Sequence, residues 1–225
     1  MSKPKSTTIA IDAEQHVSGL LQALPDARAC YVLAHGAGAG MAHPFMASVA
    51  EGLAARGIAT LRYQFPYMER GSKRPDTPKL AHATVRAAVA DAAQLLPGVP
   101  LFAGGKSFGG RMTSQAQATA PIPGVRGLVF LGFPLHPAGK PSDERAAHLS
   151  DVDLPMLFLQ GTRDELADLE LLQSVIKRLG TRATLQLFAD ADHSFHVPAR
   201  SGRTDAQVME DVLDALANWI GAHAG

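Results

Sequence analysis

Ser107 lies in Gly105-Lys106-Ser107-Phe108-Gly109, after the apolar run Pro100-Leu101-Phe102-Ala103-Gly104 and before a segment that can be helical from Arg111 onward. A strand, a G-x-S-x-G turn and a helix lift a serine hydroxyl above a sheet, where it can attack an acyl carbon. The flanking glycines permit the tight turn and the close approach of strand to helix. Near neutral pH the hydroxyl needs a base, and the base needs an orienting acid. Two later loops carry those types: Gly161-Thr162-Arg163-Asp164-Glu165 and Ala189-Asp190-Ala191-Asp192-His193-Ser194-Phe195-His196. The catalytic candidates are therefore Ser107 as nucleophile, His193 as base and Asp164 as orienting acid.

Each assignment has a competitor. His196 competes for the base, Glu165 and Asp168 for the acid, and Asp164 equally suits the cap of a helix starting at Glu165. His193 is preferred because Asp-His immediately follows a strand, whereas His196 lies a turn further on. The loop His35-Gly36-Ala37-Gly38 offers small residues whose backbone can reach a substrate oxygen. The Phe108 and Ala37 amides are the expected oxyanion donors, with Gly38 the alternative to Ala37. Further candidate substrate contacts are Gly38, Arg62, Tyr67 and His136. The His35 side chain is expected to bond within its own loop.

Other chemistries fit less well. Gly105-Lys106-Ser107 suggests a phosphate-binding loop, but the required glycine five residues earlier is Pro100 and the intervening segment is strand-like. Gly36-x-Gly38 suggests a dinucleotide loop, but the third glycine position is Met41 and the next strand carries Arg62 in place of an acid. The histidines are scattered and outline no metal site. No cofactor or metal is expected.

The elements that must position these residues alternate along the chain. Two short N-terminal segments, 7–11 and 16–24, are expected as strands, the second alternatively as a helix. Apolar runs at 29–34, 58–65, 100–104, 127–133, 155–160 and 184–188 are expected strands, the first of them buried on both faces. Apolar stripes at 44–56, 80–96, 166–179 and around Val208, Val212, Leu216 and Trp219 are expected helices. The last follows a capping box, Thr204-Asp205-Ala206-Gln207. Residues 67–78 are an expected loop begun by Pro66, and 134–154 an irregular stretch with at most one short helix. The alternation predicts an α/β fold in one domain over 1–225, a mostly parallel sheet with helices on both faces. Ligands in such sheets sit at the carboxyl ends of the strands, which is where every candidate above falls.

A chain of 225 residues, 46% apolar and 19% charged, can build one sizeable core. Its 21 acids balance its 21 Lys and Arg, which argues against a nucleic-acid partner. The single Cys30 permits no internal disulfide and suits a buried, inert thiol. Residues 1–9 lack a signal-peptide core and no stretch is long enough for a membrane span, so a cytoplasmic location is expected. The oligomeric state is open.

These residues resemble the α/β-hydrolases, and within them the dienelactone-hydrolase-like group. They resemble most the family of testis-expressed protein 30 and subunit 3 of the non-specific-lethal chromatin complex. The resemblance rests on His35-Gly36-Ala37-Gly38, Arg62-Tyr63-Gln64-Phe65-Pro66-Tyr67, Gly105-Lys106-Ser107-Phe108-Gly109-Gly110 and Phe133-Pro134-Leu135-His136-Pro137. Gly139-Lys140-Pro141, Gln160-Gly161-Thr162-Arg163-Asp164 and Asp192-His193-Ser194-Phe195 complete it. It implies an α/β-hydrolase fold with the triad and oxyanion loop just described, and supplies no substrate; the small acyl substrate expected here follows from the short stretch 134–154, which leaves the site open. Residues 134–154 are too few for a full cap domain. Serine stands where cysteine-dependent dienelactone hydrolases carry their nucleophile, which weakens transfer of that activity. Two functions from different classes follow: a serine hydrolase of carboxylic esters or thioesters, and a catalytically silent scaffold on the same fold. Under the first, activity measured across pH is expected to fall on the acid side of neutrality, where a histidine base is protonated.

Overall fold

The computed structural model describes residues 3–225; Met1 and Ser2, the start of the N-terminal segment considered above, lie outside the described residues. The two N-terminal segments are both strands, β1 (Lys5–Ala10) and β2 (His16–Gln22), joined as an antiparallel pair. Their residues alternate buried and exposed toward the sheet edge, a period-two pattern that excludes the helical alternative for the second. From β3 (Ala29–Ala34) onward strand and helix alternate. α1 (Pro44–Ala54) leads to β4 (Ile58–Tyr63), whose six residues are all buried, as are those of β3.

Two local expectations are corrected at this point. The loop expected over 67–78 contains a one-turn helix, α2 (Pro66–Glu69). Pro66 opens that helix, because a proline at the first helical position lacks only an N–H that would be unsatisfied anyway. α3 (Pro78–Leu95) then begins in the same way, on Pro78.

The centre of the sheet is β5 (Leu101–Lys106), followed after one residue by α4 (Phe108–Thr119). The first turn of α4 holds Gly109 and Gly110, each costing about 1 kcal/mol of helix stability relative to alanine. Burial of Phe108, Met112 and Ala116 offsets that, at about 1.5–3 kcal/mol for each large apolar side chain. β6 (Val125–Leu131) follows, then the irregular stretch with a single 3-10 helix, Glu144–Asp151. β7 (Met156–Gly161), α5 (Leu169–Leu179), β8 (Ala183–Phe188) and α6 (Asp205–His223) complete the chain. The Thr204 capping box of α6 is formed in full. α5 starts at Leu169, later than the apolar stripe suggested, and its cap is Asp168, whose side chain accepts from the Leu171 amide.

The eight strands lie in the order β1-β2-β4-β3-β5-β6-β7-β8. β2 pairs antiparallel with β4, and every pairing from β4 through β8 is parallel. Strand alternation divides the core in two. Tyr31, Leu33, Phe102 and Val129 face α1 and α6, packing on Val49, Leu53, Val212 and Leu216. Val32, Ala103, Phe130 and Phe158 point the other way, toward Val85, Met112 and Leu172 of α3, α4 and α5. Cys30 lies inside the second layer, where burial pushes its thiol up to about 12, so it stays protonated and unreactive. Among the described residues no helix is long and apolar enough to cross a membrane.

The β3–β5 contact is closest where the chain leaves the sheet toward Ser107. A Cβ placed on Gly105 would lie 2.2 Å from the Ala34 carbonyl oxygen of β3, and the φ of Gly105 is +154°. Because the obstacle is backbone, it cannot swing aside. Gly105→Ala is expected to lose about 3 kcal/mol or more in urea denaturation, a typical cost for overpacking plus backbone strain.

Candidate active site

Ser107 occupies the single residue between β5 and α4, with φ 50° and ψ −115°. A side-chain-bearing residue there is strained by roughly 1–3 kcal/mol, and such strain persists only where the surroundings enforce it. Here they do. The Ser107 amide donates to Leu131 O at 3.2 Å, and its carbonyl accepts from the Arg111 amide at 3.1 Å. Gly109 lets α4 sit against the loop after β3, since a Cβ there would be 2.6 Å from His35 O.

The acid follows β7. Asp164 is 6% exposed, and each of its oxygens is engaged. Oδ1 accepts from the Leu166 amide at 2.8 Å; Oδ2 accepts from the Gln160 side-chain amide and from Nδ1 of His193, the latter at 2.6 Å. Asp164 therefore spans between loops, while Asp168 caps α5. Gln160, 1% exposed, also accepts from the Phe133 amide at 2.9 Å and so ties the end of β6 to the carboxylate. Sequence reasoning missed this residue. Its one signal was a polar amide at the end of an otherwise apolar strand.

The base sits in the loop after β8. Asp192 folds that loop by accepting the amides of Ser194 at 2.7 Å and His196 at 2.9 Å. Gly161 lets the loop close onto β7, for a Cβ there would be 2.3 Å from Ala191 O. Phe195 buries itself against Phe188 and Phe45 as the anchor. The competing His196 points away, pairing with Asp205 at 2.8 Å on the surface, and that hydrogen bond raises its pKa.

The loop after β3 is held by His35, fully buried. Its Nε2 accepts from the Phe65 amide at 3.1 Å, so the ring proton is on Nδ1, which donates to Gly36 O at 2.8 Å. Burial lowers its pKa and keeps it neutral. The Gly38 amide donates to the Tyr67 hydroxyl at 3.2 Å and is committed. The Ala37 amide has no hydrogen bond among the described residues. Phe108, as first residue of α4, has no intrahelical acceptor for its amide.

Ser107, His193, Ala37 and Leu166 line one cavity of about 390 Å³, with Phe45 and Met46 as its apolar wall. With Nδ1 bonded to Asp164, Nε2 is the ring nitrogen left to take a proton. No hydrogen bond joins the Ser107 hydroxyl to that ring among the described residues; bonds of this kind are commonly long before substrate binds. Gly38, Arg62, Tyr67 and His136 do not line the cavity. Arg62 lies within β4, 3% exposed, and donates to Met41 O at 3.2 Å. Tyr67 stands behind the glycine loop. His136 accepts from the Asp168 amide at 2.7 Å and braces the start of α5. Arg62, Tyr67 and His136 are buried and support loops, whereas Gly38 is exposed between two residues, Ala37 and Ala39, that do line the cavity. Among the described residues no three His, Cys, Asp or Glu side chains gather as a metal-holding group.

The alpha/beta hydrolase domain model matches residues 27–221 of this chain. The chain belongs to the alpha/beta hydrolase family. Solved structures share its fold. A dienelactone hydrolase from Anabaena variabilis is 21% identical with a TM-score of 0.77, covering 99% of each chain. XC6422 from Xanthomonas campestris, an α/β serine hydrolase without lid, is 20% identical with a TM-score of 0.73, over 97% of this chain and 96% of that one. Est1E from Butyrivibrio proteoclasticus, with ferulic acid bound, is 17% identical with a TM-score of 0.68, over 94% of this chain and 99% of that one. The protein is a hydrolase enzyme.

In this hydrolase the residue before the serine has a use that its place in a Gly-Lys-Ser string did not suggest. The Lys106 ammonium donates to His193 O and lies 5.8 Å from the ring centres of both Phe45 and Phe195. It thereby ties the elbow to the histidine loop. Burial lowers its pKa to about 8 against the opposing pull of Asp164 and Asp192. Between pH 8 and the ordinary 10.5 the folded chain thus binds fewer protons at this group than the unfolded chain, and the group's contribution to stability rises with pH. Denaturant midpoints of wild type and Lys106→Met should show this: wild type gains stability relative to the variant between pH 7.5 and pH 9.5. A constant difference would contradict the assignment.

Proposed function

We propose that this enzyme cleaves carboxylic esters or thioesters of small acyl substrates through Ser107, His193 and Asp164. Ser107 Oγ attacks the acyl carbon while its proton passes to Nε2 of His193. The resulting oxyanion is held by the Ala37 and Phe108 amides. Collapse breaks the bond to the alcohol or thiol, which leaves with the proton from His193. A water then attacks the acyl-enzyme with His193 as base, releasing the acid and restoring the serine. Asp164 keeps the ring in the required tautomer and stabilises its charged form.

The observation that carries this is the 2.6 Å bond from His193 to buried Asp164 beside a strained serine in the same cavity. The dienelactone hydrolase and the esterases of this fold add support from chemistry named for those proteins. Within the superfamily, the seven motif blocks quoted above favour the group of testis-expressed protein 30 and subunit 3 of the non-specific-lethal complex. We further infer that residues 1–225 work as one hydrolase domain in the cytoplasm, the lone thiol Cys30 being buried and unpaired.

Ester and thioester panels with Ser107→Ala test the reading. kcat/KM is expected to fall about 10³-fold or more for Ser107→Ala and His193→Ala, and roughly 10²–10⁴-fold for Asp164→Asn. Undiminished hydrolysis by Ser107→Ala would remove the serine from its role. No hydrolysis of any ester by well-folded wild type would favour the silent scaffold.

A further inference from the structure

Ser107 stands between two cavities. Besides the apolar one shared with His193, a second of about 420 Å³ opens on its other side, and Ala37 and Leu166 border both. The second is walled by Pro75, Pro78, Met112 and Pro134 and is lined also by two arginines, Arg111 and Arg145. Arg111 is one helical turn past the nucleophile, its amide bonded to Ser107 O at 3.1 Å, and its guanidinium lies 6.0 Å from the Phe108 ring centre. Arg145 comes from the 3-10 helix Glu144–Asp151.

Neither guanidinium forms an ion pair or side-chain hydrogen bond among the described residues, and Nε of Arg111 is buried without a partner. The cavity does contain an acid, Asp76, but its carboxylate is spent. Oδ1 accepts from Arg70 at 2.7 Å and Oδ2 from the Tyr67 amide at 2.9 Å. Two positive charges therefore remain uncompensated beside the serine. Their mutual repulsion adds to burial in lowering the Arg111 pKa, and the field of Arg111 also helps hold nearby His148 down to about 4, after burial. In the other cavity the Lys106 cation is already committed to His193 O.

An arginine pair held half-buried without an acid bonded to it is costly unless something anionic completes it, because guanidinium forks match carboxylate and phosphate oxygens bidentately. We propose that Arg111 and Arg145 form an anion subsite, so that the preferred substrate is an acyl ester or thioester with an apolar arm on one side of the scissile bond and a carboxylate or phosphate on the other. This rests on the ester-hydrolase reading above and sharpens its substrate class.

The test compares matched esters. 4-Nitrophenyl hydrogen glutarate against 4-nitrophenyl methyl glutarate places the charge on the acyl side; acetylated 3-hydroxybenzoate against its methyl ester places it on the leaving group. In one series the anionic member is expected to be favoured by about tenfold or more in kcat/KM, the order expected of a charge-assisted contact. That ratio should fall toward one in Arg111→Gln and in Arg145→Gln, recover in part in Arg111→Lys, and shrink as salt is raised. Neutral members equal to or better than anionic ones in both series, with ratios unmoved in the variants, would overturn the subsite. Calorimetry on the Ser107→Ala protein separates this from the chemistry. Monomethyl glutarate and butyl phosphate, titrated separately, should bind more weakly in the arginine variants, and the larger effect identifies the head group. If no ester is hydrolysed but this arginine-dependent binding is found, the hydrolytic reading falls and the subsite stands. If neither anion binds in an arginine-dependent way, the subsite is wrong whatever the esters do.

Discussion

The φ of 50° at Ser107 is the constraint on which the rest of the site depends. A strand and a helix cannot be joined by one residue in relaxed geometry, so the strain must be offset by what the junction brings together. Here three backbone approaches, at Gly105, Gly109 and Gly161, remove the side chains that would hold β3, β5, α4 and the histidine loop apart. The strained serine is left at the carboxyl edge of the sheet with free amides nearby. Strain at this one residue is small beside the burial energy of the two core layers that enforce it.

Around that junction, charge is arranged by burial. Asp164 is desolvated but has Gln160, Leu166 and His193 as partners, so a carboxylate in the interior carries no unmet hydrogen-bond demand. Lys106 is a half-buried cation whose directional partner is a single carbonyl, and it links the serine strand to the histidine loop. Arg111 and Arg145 are the contrasting case, cations lining a cavity with no acid or hydrogen-bond partner for their side chains among the described residues. The first two groups complete the protein's own machinery; the arginines await something from outside. One face of the serine is therefore apolar and the other cationic.

Much of the frame was legible because buried strands are written as unbroken apolar runs: those at 29–34, 100–104 and 155–160 mark strands observed at 29–34, 101–106 and 156–161, with nearly every residue covered. The elbow was legible because its glycines mark backbone crowding locally. What sequence reading missed depended on contacts distant in the chain. Pro66 looked like the end of a strand, yet it starts a helix, because its effect depends on the path taken afterwards. Asp164 and Asp168 both competed for the acid, and Asp164 suited a helix cap as well; only packing decided that the first bridges to a histidine 29 residues away while the second caps α5. Arg62 sat at the end of the right strand and Tyr67 and His136 after theirs, but strand ends also need side chains that brace the loops, and these three are engaged there. Gln160 gave only a polar amide at the end of an apolar strand, and the arginine pair gave no local pattern at all.

The central claim is that Ser107 is a nucleophile activated by His193. Intact-mass and peptide mapping after exposure to a fluorophosphonate probe measures it without knowledge of the substrate. The account predicts one adduct, on Ser107, absent from the Ser107→Ala protein and formed far more slowly in His193→Ala. A well-folded wild-type protein that takes up no label, or that is labelled at another residue, would contradict it.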